Sequence, residues 1–233
     1  MGLEEGSEVS GEVRVKFQVE ISDTCPPPFQ EEWIPLAAAL TVSEELGAAP
    51  ATPSGLVCGN GAILSSNDNG KLSIVVSKSG RVAGPKLSKA DFVRVLQFDS
   101  TAWKATYGGC GESTSKPSSD TPLLWNALVV APQKFHWTLK PQFILHGHSC
   151  ASQEDADRLN VPCSPTETLF STPADLNALM DLLEQHPYPK HQIFIRKNHG
   201  FFLLAQDQDE ACRIFREVLA PQAATTISLS LDI

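Results

Sequence analysis

Alternating apolar and polar residues mark the start of the chain as a strand. From Val13 to Ile21 every second side chain is apolar, and the residues between them are Arg14, Lys16, Gln18 and Glu20. This period of two is typical of a strand with one buried face. Proline cannot donate to a sheet ladder, so the run of prolines after Cys25 ends this strand. A helix is predicted from Pro35 to Leu46, closed by Gly47.

Apolar runs along the rest of the chain alternate between strand and helix periods. Two short runs, Ala62 to Leu64 and Leu72 to Val76, flank an Asn-Gly step that predicts a β-hairpin. Further strands are predicted at Phe92 to Phe98, Thr101 to Tyr107, Phe143 to His146, Ile193 to Ile195, Phe201 to Leu204 and Thr226 to Leu231. Helices are predicted to begin at Ser119 or Asp120, to span Gln153 to Leu159 and Pro173 to His186, and to follow Asp207 as a cap. The pattern indicates a layered α/β domain whose sheet is at least partly antiparallel.

Composition and charge narrow the class of protein. The 233 residues are enough for one domain with a sizeable core, and no apolar run is long enough to span a bilayer. The first ten residues are acidic and polar, unlike a signal peptide, so we expect a cytosolic protein without membrane partners. A formal net charge of -9 argues against nucleic-acid binding. Six cysteines without a C-x-x-C pair are interpreted as reduced thiols.

Three histidines are candidate metal ligands. His146 and His148 are separated by Gly147, and alternate residues of a strand point to the same face, so two imidazoles there can share an ion. His199 lies in an Asn-His-Gly turn between two apolar runs and would complete a set of three ligands with one open position. Short His-x-His motifs also occur in ordinary strands, so the alternative is that these are structural histidines.

Two loops are candidate anion sites. Ser118, Ser119 and Asp120 precede an apolar helix, where hydroxyl and backbone N–H groups suit an anion, and Asp120 would serve as a general base if burial raises its pKa. The alternative is ordinary helix capping by Ser119 or Asp120. Ser79 and Gly80 follow a predicted strand and could present N–H groups to an anion, or could form a plain turn.

Taken in order, these motifs resemble the class II aldolase/adducin family. The succession is Gly61-Ala62-Ile63-Leu64, Ser79-Gly80, Lys116 to Asp120, His146-Gly147-His148 and Asn198-His199-Gly200. The resemblance covers residues 59–220 of a single domain spanning 1–233, and residues 1–58 form a divergent strand and helix. It implies an α/β fold with three layers, α/β/α, around a central, largely antiparallel sheet.

The resemblance also implies a function. His146, His148 and His199 would hold zinc or another divalent metal, and Asp120 would stand at the position of the family's catalytic glutamate. Gly61, Ser79, Gly80, Ser118 and Ser119 would bind the substrate or its phosphate, although Ala62 stands where the family usually has asparagine. The expected function is metal-dependent, aldolase-type C–C cleavage or condensation through a metal-stabilised enediolate.

The substrate would be a small sugar, a sugar phosphate or a hydroxycarbonyl compound, and the expected assembly is a homotetramer. Two alternatives remain open. One is an epimerase or dehydratase of the same family, and the other is a non-catalytic, adducin-like protein-interaction module.

Overall fold

A mixed sheet forms the centre of the molecule, which we describe from a computed structural model. The structure describes residues 17–22, 31–66, 70–84, 86–108 and 115–219. The strands are β1 (Gln18–Ile21), β2 (Gly59–Ser66), β3 (Leu72–Ser77), β4 (Phe92–Asp99), β5 (Lys104–Gly108), β6 (Phe143–Gly147), β7 (Ile193–Arg196) and β8 (Gly200–Ala205). The helices are α1 (Trp33–Glu45), α2 (Thr121–Trp125), α3 (Ala131–Lys134), α4 (Gln153–Leu159), α5 (Pro173–Gln185) and α6 (Gln208–Ile214). One π-helical turn (Asn126–Val130) joins α2 to α3, and another (Phe215–Leu219) continues α6.

The strand order is β1-β5-β4-β3-β2-β6-β8-β7, and among these eight described strands only β1 and β5 pair in parallel. All other neighbours are antiparallel, which confirms the prediction of a largely antiparallel sheet. The predicted hairpin is β2–β3, with Ile63 opposite Val75. β2 also pairs with β6, and in this pairing Asn60 lies directly opposite His146.

Two apolar layers cover the two faces of the sheet. Alternate residues of β8 belong to different layers. Phe202 and Leu204 pack with α2, α3 and α5, whereas Phe201 and Leu203 pack with α1 and α6. Because both faces are covered, the central strands carry continuous apolar runs. The architecture is the expected three-layer α/β/α arrangement.

The helix starts follow local capping chemistry. Thr172 accepts a hydrogen bond from the N–H of Asp175 at the start of α5, and Asp207 caps α6 through the N–H of Glu210. Ser152 and Asp155 form a reciprocal capping box at α4. These three helices begin where the sequence predicts, because a short polar side chain satisfies an otherwise unpaired N–H at each start.

The first strand differs from its prediction. β1 is an edge strand of four residues, and Ile21, expected on the buried face, is 56% exposed. Phe17 is buried and Val19 packs against the core, so the apolar face is covered only in part. Residues 13–16 of the predicted strand and the predicted terminal strand at 226–231 lie outside the described residues. No described helix has both the length and the hydropathy needed to cross a membrane.

Candidate metal centre

Three histidines converge at one end of the central strands. His146 is on β6, His148 follows that strand, and His199 lies in the turn between β7 and β8. One ring nitrogen from each lies within 4.8 Å of the other two, so a single ion can reach all three. His146 and His199 are buried, whereas His148 is exposed to solvent. The arrangement leaves an open side, as a catalytic metal site requires.

Close backbone packing brings the histidines together. A Cβ on Gly147 would lie 2.2 Å from the carbonyl oxygen of Ala48, so only glycine lets the chain pass between the two histidines here. Gly200 has φ of +145°, and a Cβ there would lie 2.3 Å from the carbonyl oxygen of Gly147. Glycine is therefore required at positions 147 and 200, because β6, β8 and the loop after α1 lie too close together for a side chain there.

The two buried imidazoles each leave one nitrogen facing the centre. Nδ1 of His146 lies 2.8 Å from the carbonyl oxygen of Phe201, and its ring stacks on Phe202 at a centroid distance of 4.3 Å. Nε2 of His146 and both ring nitrogens of His199 are buried and have no well-formed hydrogen bond within the described residues, and Nδ1 of His199 lies against Asp175 as an ion-pair contact. Unpaired polar atoms in such a place are costly, and a metal ion would satisfy the two Nε2 atoms. The donor set fits zinc, for which three histidines and an open position are a common catalytic arrangement.

A buried carboxylate completes the centre. Asp120 accepts hydrogen bonds of 2.6 Å from Asn60 Nδ2 and 2.6 Å from Ser171 Oγ. Its two oxygens also lie 3.7 Å from Nε2 of His146 and 3.5 Å from Nε2 of His199. Although Asp120 occupies the N-cap position of α2, its side chain makes no capping hydrogen bond. The capping alternative is therefore wrong for the Asp120 side chain, which turns toward the histidines instead.

Charge near the centre sets the protonation of these groups. Burial alone would raise the pKa of Asp120, but its close contact with the positive charge of His199 holds that pKa below its usual range. The raised pKa considered for a general base does not occur, and Asp120 is ionised at neutral pH. Burial and the charge on His199 lower the pKa of His146 to about 3, and partial desolvation lowers that of His148. Burial opposes the charged form of His199, but Asp120 and Asp175 raise its pKa to about 9.

These protonation states predict that metal binding releases a proton. In the metal-free protein at pH 7.5 His199 is charged while His146 and His148 are neutral, and a metal ligand must be neutral imidazole. We expect about one proton released per ion, and an affinity that rises about tenfold per pH unit until pH approaches 9. Calorimetric titration of zinc in two buffers with different ionisation enthalpies measures this release. Identical heats in the two buffers would contradict the assignment.

Solved structures with a similar architecture include proteins described as aldolases. An aldolase II superfamily protein from Pseudomonas syringae gives a TM-score of 0.59 at 13% identity, covering 89% of this chain and 79% of that one. A sugar-phosphate aldolase from Thermotoga maritima gives 0.56 at 12% identity, covering 87% and 95%. An L-fuculose 1-phosphate aldolase gives 0.50 at 14% identity, covering 87% of each chain.

The chain has the class II aldolase fold. This confirms the resemblance at the level of the fold. No protein-family model matches the sequence, and no curated protein matches it. Because one fold can carry several functions, the residues of the site, and not the fold alone, decide what this chain does.

The two predicted anion loops lie side by side. Lys78 pairs with Pro117 as a short bridge, Ser79 donates its N–H to the carbonyl of Lys116 at 2.9 Å, and Ser118 donates its N–H to Ser77 at 3.1 Å. Ser118 Oγ also accepts the N–H of Asp120 at 3.3 Å. Two of the N–H groups expected to bind an anion are thus used within the fold. The hydroxyls of Ser79 and Ser119 and the backbone at Gly80, which has φ of +70°, remain candidate anion contacts.

Gly61 lies on the opposite face of β2 from this site. A Cβ there would meet Leu145 and Leu36, which belong to the layer of α1. The adjacent Asn60 faces the histidines and contacts Asp120. Residues 60 and 62 share a face of the strand, so an amide side chain is present on the face of the site two residues before Ala62. The sequence analysis missed Asn60, for which the Gly59-Asn60 pair before an apolar run was the available signal.

Three further polar residues of the site were also missed. Asp175, on the first turn of α5, lies 3.0 Å from Nδ1 of His199 and pairs with Arg196. Ser171 holds Asp120 and has a left-handed backbone with φ of +57°. In the sequence Asp175 resembles an ordinary acidic residue at a helix start, and Arg196 resembles an ordinary basic residue at a strand end. Their separation along the chain therefore gives no signal that they form an ion pair.

Proposed function

We propose that this chain is a metal-dependent lyase that cleaves or forms a C–C bond in a small sugar, sugar phosphate or other hydroxycarbonyl compound. The observation that carries the proposal is the convergence of three imidazoles on one point beside a buried, ionised carboxylate. Aldolase chemistry needs these two functions, an electrophile for a carbonyl oxygen and a base for a nearby proton.

A divalent ion held by His146, His148 and His199 supplies Lewis-acid chemistry when bound. The exposed side of His148 is where a substrate can approach, because the other two ligands are buried. His146 is held by the carbonyl of Phe201 and by stacking on Phe202, so its ring does not have to reorganise during the reaction. Such preorganisation is the main contribution a protein makes to this kind of electrostatic catalysis.

Asp120 is the proton carrier in this proposal. As an ionised carboxylate it accepts the proton of the hydroxyl beside the bond that breaks, and it returns that proton to the carbon left behind. In the condensation direction it removes a proton from the carbon next to the carbonyl. Asn60 and Ser171 each donate to one carboxylate oxygen and hold the carboxylate beside the three histidines.

A substrate screen with metal removal and restoration tests the proposal. Chelator-washed protein is reconstituted with zinc, cobalt or manganese and assayed for retro-aldol cleavage on ketose phosphates, each paired with its free ketose. We expect turnover of at least one pair that disappears with chelator and returns with metal. Absence of any metal-dependent turnover across the panel contradicts the proposal.

The paired substrates also test the candidate anion loops. If the hydroxyls of Ser79 and Ser119 bind a phosphate, Ser79→Ala/Ser119→Ala raises KM for the phosphorylated member of a pair and leaves the free ketose unaffected. An equal rise in KM for the phosphorylated substrate and the free ketose would contradict phosphate binding by these hydroxyls. It would leave the proposed metal centre unaffected.

A further inference from the structure

A buried ion pair lies directly behind the third metal-ligand candidate. Asp175 Oδ2 is 3.0 Å from Nδ1 of His199, and Asp175 Oδ1 accepts a 2.9 Å hydrogen bond from Nε of Arg196. Both side chains of the ion pair are fully buried, at 0% exposure. Arg196, Asp175 and His199 therefore contact one another in series inside the protein, and His199 is the member that reaches the metal centre.

The carboxylate is surrounded by hydrogen-bond donors. Oδ2 of Asp175 accepts the N–H of Ser171 at 2.9 Å, and Oδ1 accepts the hydroxyl of Thr168 at 3.2 Å. Nη2 of Arg196 donates to the same Thr168 oxygen at 2.6 Å. Three groups therefore donate to the two oxygens of Asp175, and Nδ1 of His199 lies beside Oδ2 as a fourth neighbour.

Fold stability does not explain why these charges are buried. Replacing a buried ion pair with apolar residues of similar volume is often neutral or stabilising, because desolvation of the ions offsets their attraction. Nη1 of Arg196 has no partner within the described residues, which adds to the cost. The arrangement is better explained by what Asp175 does to the imidazole it contacts.

His199 needs such a support because it lies in a turn. Asn198 before it has a left-handed backbone and Gly200 follows, so the ring is not aligned by a regular strand. For His146 the backbone carbonyl of Phe201 fixes Nδ1 and leaves Nε2 for a metal. A carboxylate on Nδ1 does the same for a metal-bound histidine elsewhere, since it fixes both the tautomer and the ring orientation.

We propose that Asp175 is a positioning residue which, held in place by Arg196, orients His199 so that Nε2 faces the metal. The proposal rests on the proposed metal centre and deepens it. The same loop also reaches the base, because Ser171 donates its N–H to Asp175 and its hydroxyl to Asp120. One segment, Thr168 to Asp175, thus aligns both a metal ligand and the proton carrier.

The donors around Asp175 make asparagine a sharp test. An amide has one oxygen and one NH2 group, so in Asp175→Asn the oxygen faces Arg196, the charged donor, and the NH2 group takes the place of Oδ2 beside His199 and the N–H of Ser171. Nδ1 of His199 must then accept a hydrogen bond, which places the proton on Nε2 and blocks metal binding. Removing the arginine as well, in Asp175→Asn/Arg196→Met, lets the amide oxygen turn to His199. The variant Asp175→Leu/Arg196→Met has the same charge and a similar size but offers no acceptor.

Zinc affinity, measured by competition with a chromophoric chelator, and the absorption spectrum of the cobalt-loaded protein are the readouts. We expect Asp175→Asn to bind zinc about 10- to 100-fold more weakly than the wild type and to change the cobalt spectrum. We expect Asp175→Asn/Arg196→Met to bind at least about tenfold more tightly than Asp175→Leu/Arg196→Met. The two double variants leave no uncompensated buried charge, so this comparison stands even if the single variant does not fold.

Each outcome decides between the claims. Zinc affinities of the two double variants within twofold of each other, with the same cobalt spectrum, overturn the positioning role while the metal centre stands. A wild-type protein that binds neither zinc nor cobalt overturns the metal centre and the positioning role together. A change in melting temperature without a change in affinity assigns Asp175 and Arg196 to stability alone and also overturns the proposal.

Discussion

Asp120→Asn is expected to lower kcat by about 10²- to 10⁴-fold while the fold and the bound metal are retained. The amide keeps the shape of the carboxylate. Its oxygen can accept from Asn60 and its NH2 group can donate to Ser171, so both 2.6 Å contacts are replaced. What is lost is the negative charge and the ability to take up a proton. Steady-state kinetics on whichever substrate the screen identifies, together with metal analysis, measure this separation.

A matched control is Asp181→Asn, which removes an exposed carboxylate from α5 outside the site. It should leave kcat unchanged. A value of kcat for Asp120→Asn within threefold of the wild type would show that Asp120 does not carry the proton. Loss of metal in Asp120→Asn would instead show that the carboxylate acts as a ligand.

The double variant His146→Ala/His148→Ala is expected to lose both the metal and all metal-dependent turnover. One imidazole, His199, then remains of the three, and a single neutral nitrogen cannot retain a divalent ion against a chelator. The fold should survive with a loss of about 1–3 kcal/mol in the free energy of unfolding, since His146 gives up its stacking on Phe202 and its contact with Phe201. Elemental analysis and thermal unfolding report the two effects separately.

The chain offers a control with the same chemistry. His186 and His191 form a second pair, with ring centroids 5.0 Å apart, after the end of α5. His186→Ala/His191→Ala removes two histidines outside the site and should keep the metal and the activity. Equal metal loss in the two double variants would mean that the ion is held elsewhere.

Much of the fold could be predicted because its elements carry their own local signals. The hairpin β2–β3 follows from two apolar runs around an Asn-Gly step, and α4 and α5 follow from a polar cap and helical spacing. The burial of the edge strand β1 is smaller than its sequence predicts, because alternation shows which face can be buried but not whether another layer covers that face. The exposed Ile21 illustrates this difference.

The site was predictable only where a residue type is itself unusual. Histidine is rare in this chain, so His146, His148 and His199 stand out, and the structure brings them together. Asn60, Asp175 and Arg196 are common residue types whose meaning depends on long-range pairing, such as Asn60 opposite His146 in the sheet. The pKa of Asp120 also depended on tertiary contacts, because burial and the charge of His199 act in opposite directions and the geometry decides between them.

The most direct test of the metal centre is the number of divalent ions bound per chain. Chelator-washed wild-type protein is reconstituted with zinc, passed through a desalting column and analysed for metal and protein together. The three converging imidazoles, two of which have buried nitrogens without a hydrogen-bond partner, predict about one tightly held zinc per chain. Protein that retains no zinc after reconstitution would contradict the metal centre and, with it, the proposed lyase.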